Sequence, residues 1–177
     1  MSTTTITGER ADLLDSLGQA RFFLKHTARD LTTEQASQRT TASALTVGGL
    51  IKHVALTEAG WAGFFERGAD ALLTNGKDFT ELTEEDYAER EKEFALQPGE
   101  TLDDVIAVYD DVAARTDALI ANVESLDVAH KLPDAPWFSE AEWSIRRVVM
   151  HLIAETAQHA GHADIIRESL DGAKSMG

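Results

Sequence analysis

The chain has 177 residues, 43% of them apolar, with 31 Asp and Glu against 16 Lys and Arg, a formal net charge of −15 and no cysteine. That length can bury a core without staples and reads as one domain over residues 1–177. The charge excludes nucleic acid and anionic membrane surfaces as expected partners, and the missing cysteine excludes both a disulfide framework and a protein thiol nucleophile.

No run approaches the roughly 18 consecutive apolar residues needed to span a bilayer. The opening MSTTTITGERADLL lacks the basic start and apolar run of a secretion signal, so the chain reads as cytoplasmic.

Helical periodicity recurs along the chain, and nothing alternates with period two for long enough to suggest a sheet. The first helix is predicted from Glu9 to Leu31, with Leu13, Leu17, Leu24 and Leu31 at helical spacing, and TTEQASQRTTASA follows as a polar connection. A second is predicted from Thr46 to Arg67, stopping at Gly68. A shorter acidic helix follows from Thr83 to Leu96, before Pro98-Gly99; the acidic residues between Asp78 and Glu93 read as a solvated face rather than a docking surface.

The next helix is predicted from Thr101 to Val123, with Thr101 and Asp104 as a capping box. A turn-rich connection carries Pro133 and Pro136. Ser139 with Glu142 reads as a second capping box, starting a last helix that continues through Trp143 to Leu170. The expected fold class is all-α: a four-helix bundle with one additional shorter helix.

The last helix contains HLIAETAQHAGHADIIRE, residues 151–168. At 100° per residue, His151, His159 and His162 fall within about 40° of Glu155, and this stripe overlaps the apolar face. An ionised carboxylate in a core needs a partner, a proton or a cation. Glu155 and His159 stand one turn apart, the spacing by which one helix offers two ligands to one metal.

The second helix contributes His53, also directed to the core, with Gly49 and Gly60 leaving space beside its ring. His53, Glu155 and His159 would make a three-ligand site with open positions. The competing reading is an ordinary Glu–His ion pair, with His162 as the rival third ligand if His53 faces elsewhere. Trp61 and Trp143 read as core packing, with pocket lining as the alternative, and His26 and His130 read as ordinary polar positions. The chain offers no phosphate-cradling glycine loop and no G-x-S-x-G nucleophile elbow.

LTVGGLIKHVALTEAGW, followed some way on by EWSIRRVVMHLIAETAQHAGHADIIRE, resembles the DinB-like superfamily. The resemblance is closest to an actinobacterial-type branch related to mycothiol-dependent maleylpyruvate isomerases and thiol S-transferases, and covers nearly the whole chain. It implies a four-helix bundle, usually a homodimer, with a divalent metal on His53, Glu155 and His159. Glu155 departs from the commoner three-histidine set, as the isomerase branch also does. This donor set is consistent with zinc, and nickel and manganese stay open.

The implied activity is transfer or addition of a low-molecular-weight thiol, such as mycothiol, to an electrophilic small molecule, with His162 or His151 as proton shuttle. The alternative is a non-catalytic, stress-related, metal-binding dimeric bundle.

Overall fold

The computed structural model describes residues 6–175; the first residues of the segment read above for a secretion signal, and both ends of the expected 1–177 domain, lie outside them. The described residues form α1 (Glu9–His26), α2 (Thr33–Ala36), α3 (Val47–Arg67), α4 (Glu84–Glu91), α5 (Leu102–Asn122) and α6 (Ile145–Asp171). Between them lie three short 3-10 turns and a two-stranded antiparallel pair, β1 (Ala129–Lys131) and β2 (Glu142–Ser144). The protein is all-α in character, as expected, and the four long helices pack in the ring α1–α6–α3–α5. No helix among the described residues is long and apolar enough to cross a membrane.

Two apolar clusters fill the bundle. One gathers Leu24, Leu50, Val54 and Ile166, the other Leu17, Phe64, Ile120, Ile145 and Leu152. Set among them is a polar centre that the periodicity did not announce. Arg21 of α1 donates through Nε and Nη2 to the two oxygens of Glu58 on α3, at 3.1 and 2.5 Å, and through Nη1 to Asp117 of α5 at 2.8 Å. Glu58 is fully buried. The pair therefore ties α1 to α3 across the bundle, bidentate and dry, which is the geometry that lets a buried charge persist. The hydroxyls of Tyr109 and Thr156 are buried nearby without hydrogen-bond partners, and burial, with the charge of Glu58, pushes the Tyr109 phenol up.

Several boundaries differ from the sequence reading, each for a physical reason. The first helix ends at His26 rather than Leu31: Asp30 takes a left-handed conformation, and Arg167 of α6 donates to the carbonyls of Thr27 and Arg29 at 2.8 and 2.7 Å, satisfying groups a longer helix would have used. The polar connection contains α2, nucleated by a capping box of Thr32 and Gln35. The last helix begins at Ile145 with Ser144 as its cap, not at Ser139, because Glu142–Ser144 is extended as β2 and pairs with β1, His130 opposite Trp143. At Thr101 only half of the capping box forms: its hydroxyl accepts from the Asp104 amide, and the Asp104 carboxylate takes the hydroxyl proton instead of the Thr101 amide.

The acidic helix is shorter than expected and is not a uniformly solvated face. α4 stops at Glu91, and a 3-10 turn, Lys92–Phe94, follows. That turn lies on α3 at Gly49, where a Cβ would come within 1.9 Å of the Phe94 carbonyl oxygen. Glycine is required there for close approach of two backbones. Asp86 is buried, and it gathers Lys77 at 2.7 Å, the Thr83 amide at 2.9 Å, the Thr83 hydroxyl at 2.8 Å and Asn75 at 3.0 Å. These donors, Lys77 first, hold the Asp86 carboxyl well below the ordinary aspartate range.

Two expectations follow. Arg21→Met should cost about 3–5 kcal/mol in urea unfolding, whereas Arg21→Met with Glu58→Met should recover most of it, because the single change strands a buried charge and the double change removes it. Asp86, with its pKa lowered on folding, contributes stability that is complete above the unfolded value of about 3.9 and is lost as pH falls below it. The stability gap between the wild type and Asp86→Asn should therefore be widest near neutral pH and narrow on acidification, as followed by circular dichroism.

Candidate metal centre

His53 projects from α3, two turns after the helix is started by Thr46, whose hydroxyl accepts from the Gly49 amide at 3.1 Å. Glu155 and His159 project from the middle of α6 toward it. His53 Nε2 lies 3.5 Å, and His159 Nε2 3.1 Å, from the same Glu155 oxygen, Oε1. One ligand atom from each of the three residues lies within 4.8 Å of the others. The structure thus brings together the three residues that the sequence singled out as metal ligands.

The imidazoles, His159 first and then His53, hold the Glu155 carboxyl well below the ordinary range against the opposing effect of burial. Two imidazole nitrogens and a carboxylate oxygen are a donor set suited to a borderline divalent cation. The remaining Nδ1 atoms of His53 and His159 are buried without partners. Beyond the shared Glu155 oxygen, ring orientation rests on packing: Phe94 stacks on His53 at 4.0 Å, and His53 meets His159 edge-to-face at 5.1 Å. Of the two glycines expected to leave room beside His53, Gly49 instead admits the Phe94 backbone, whereas Gly60 lines the same cavity as His53, and a Cβ there would make only ordinary contact with Leu72.

His53 and Glu155 form part of the lining of a cavity of about 790 Å³. Its wall includes Trp61 and Trp143, stacked at 5.1 Å and 14°, which are both buried in the core and exposed to the cavity. His151 lines the same cavity, edge-on to each of these rings at 5.3 Å. Burial lowers the His151 pKa; Glu155 opposes the shift and Arg147 adds to it. His162 is exposed, with its ring 5.5 Å from that of His159, and lies outside the cavity lining. His130 sets its Nε2 3.2 Å from the Phe65 carbonyl, and His26 stacks on Phe22, so both are packing groups.

Several cavity residues escaped the sequence reading. Among them, Phe79, Trp137 and Phe138 sit in connections without helical period, Arg90 lies in the acidic segment read as solvated, and Arg147 stands in the first turn of α6. Their common signal is only that large aromatic and cationic groups stand in or beside irregular segments.

The four-helix bundle, with His53 on its second long helix facing the Glu155 and His159 pair on its last one, has the arrangement that the resemblance to DinB-like proteins implied. Within that class, the family model described as Mycothiol-S-transferase matches residues 12–172, and the chain belongs to this family. No curated protein matches the chain. Among solved structures, the chain is similar to the crystal structure of a conserved protein from Enterococcus faecalis, with 14% sequence identity, a TM-score of 0.67, and coverage of 95% of this chain and 100% of that one. That likeness concerns the fold.

With its pKa lowered, the His151 imidazole should be neutral at pH 7. Its ring resonances, assigned by loss in His151→Gln, should titrate below the model-peptide value of about 6.5. A midpoint above that value would contradict the burial described here.

Proposed function

We propose that the protein is a metal-dependent enzyme that transfers a low-molecular-weight thiol, such as mycothiol, to an electrophilic small molecule. The observation that carries the reading is the convergence of His53, Glu155 and His159 at the edge of a large cavity in a chain of the mycothiol-S-transferase family. These three residues would hold the cation, zinc best matching two imidazoles and a carboxylate, with nickel and manganese compatible. A divalent cation there supplies the Lewis acidity that lowers the pKa of a thiol ligand, which suits a chain without cysteine.

The protein's own groups do the rest. Glu155 remains ionised and offsets the charge of the cation. His151, neutral and lining the cavity, accepts the thiol proton; His162, exposed outside that lining with its ring 5.5 Å from that of His159, is the less well placed of the two shuttle candidates. The aromatic wall holds the electrophile and keeps water from competing for it. In an addition, the S–H bond breaks, an S–C bond forms and the proton ends on the adjacent carbon. In a displacement, a halide leaves and the proton goes to solvent. Neither outcome needs an oxidant. The reading includes one bundle domain acting as a homodimer in the cytoplasm, which light scattering on the purified protein checks for the assembly.

Metal analysis of tag-free protein by plasma mass spectrometry should give about one divalent ion per chain. His53→Ala and His159→Ala should lose it while keeping their helices by circular dichroism. Metal-loaded wild type should consume mycothiol in the presence of an activated aryl chloride, and Glu155→Gln should lower that rate in protein that stays folded. Protein that binds metal but consumes no thiol with any electrophile would be a non-catalytic metal-binding bundle. Protein that binds no metal would remove the basis of the reading.

A further inference from the structure

We propose that Arg90 and Arg147, with the aromatic wall between them, form a subsite for a planar, conjugated electrophile that carries a carboxylate. The inference rests on the thiol-transfer reading above and names the substrate class of the same cavity.

The wall is continuous. Phe79 meets Trp137 edge-on at 4.9 Å, Trp137 meets Phe138 at 6.1 Å, Phe138 meets Trp143 at 5.3 Å, and Trp143 stacks on Trp61. A guanidinium caps it at each side: Arg90 lies 5.2 Å over the Phe79 ring and Arg147 4.2 Å over the Trp143 ring. Trp137 is 57% exposed, leaving a large apolar surface at the rim for a flat ligand to cover.

The charges at the cavity point the same way. In a chain with net charge −15, Arg21, Arg115, Arg146 and Arg167 each meet a carboxylate, as do several lysines. Arg90 and Arg147 have no salt-bridge partner among the described residues, as is also true of Arg10, Arg29, Arg39 and Arg67, but of these six only Arg90 and Arg147 line the cavity. Arg90 spends one N–H on the Thr74 hydroxyl at 3.0 Å, and the Arg147 side chain makes no hydrogen bond among those residues. A guanidinium has five N–H donors in a fork that matches a carboxylate, so most of this capacity faces open space. Of the two carboxylates lining the cavity, Glu155 is engaged by two imidazoles and Glu93 stands alone. Glu140, outside the lining, accepts from the Trp143 indole at 3.4 Å and shares the field of Arg147. The two guanidiniums of the lining balance its two carboxylates, so the cavity is neutral where the protein as a whole carries −15. An aromatic surface with cationic edges selects a conjugated acid over its neutral ester.

The test uses full-length, metal-loaded protein, mycothiol and two matched aryl chlorides, 4-chloro-3-nitrobenzoate and its methyl ester. In both, the thiol S–H and the C–Cl bonds break, an S–C bond forms, and chloride and a proton are released. After division by the uncatalysed rates, wild type should prefer the benzoate by about tenfold or more, with the difference in KM, as one charge-assisted hydrogen-bonded pair allows. Arg90→Gln and Arg147→Gln should each lose most of that preference, and Arg147→Lys should keep part of it; Arg115→Gln, at a surface pair with Glu66, should keep all of it.

Binding is read separately, by quenching of tryptophan fluorescence with unreactive 3-nitrobenzoate and its methyl ester. Arginine-dependent preference for the acid in binding, with no thiol consumed, would uphold the subsite and overturn the thiol-transfer reading. Turnover or binding that favours the ester, or treats both alike in every variant, would overturn the subsite. A rise in KM for mycothiol rather than for the benzoate would also overturn it, by assigning the arginines to the thiol.

Discussion

The buried ion pair of Arg21 and Glu58 is the constraint on which the rest of the structure turns. A carboxylate with no exposed surface tolerates few arrangements, since each lone pair left without a donor costs more than an apolar contact returns. Here the guanidinium fork reaches from α1 to α3 and spends a further donor on Asp117 of α5. Three of the four long helices are thereby fixed in rotation as well as in position. On α3 the consequence reaches the site directly. Glu58 points to the bundle centre, and His53, five residues earlier, is turned by about 140° at 100° per residue, which carries it out of the centre toward the cavity.

The same division of faces operates on α6. Thr156 is fully buried near the polar centre, while its neighbour Glu155 is turned by about 100° and lines the cavity. The bundle has two polar regions, one dry and one open, on different faces of α3 and α6. The dry one is satisfied internally apart from two hydroxyls. The open one presents the His53 imidazole and the Glu155 carboxylate, with His159 beside them, to a space large enough for a small molecule.

The second wall of that space is built by the least regular part of the chain. Gly49 lets the turn before Ala95 lie directly on α3, and Asp86 binds the strip around Asn75 and Lys77 to the start of α4. Phe94 is laid on His53 by the first of these contacts, and Arg90 and Phe79 are held near the cavity by the second. An acidic surface segment thus contributes a stacking ring, a cation and an aromatic edge to the site. The hydrogen bonds converging on Asp86 give this irregular segment an anchor that its short helix could not provide.

The helical period of the apolar residues, by itself, determined the four long helices and the face on which His53, Glu155 and His159 lie, because side-chain direction in a helix follows from spacing alone. Family resemblance rested on those same positions. Tertiary structure alone decided the Ser144 start of α6, through a strand pairing that no alternation announces over three residues, and the end of α1, through an arginine of α6 that satisfies its last carbonyls. It alone joined Arg90, Phe79, Trp137 and Arg147 into one cavity, since these residues come from separate segments and share no period. Local pattern encodes which way a side chain faces; which distant side chain it meets depends on the packing of whole helices, and that is settled only when the buried charges at the centre find their partners.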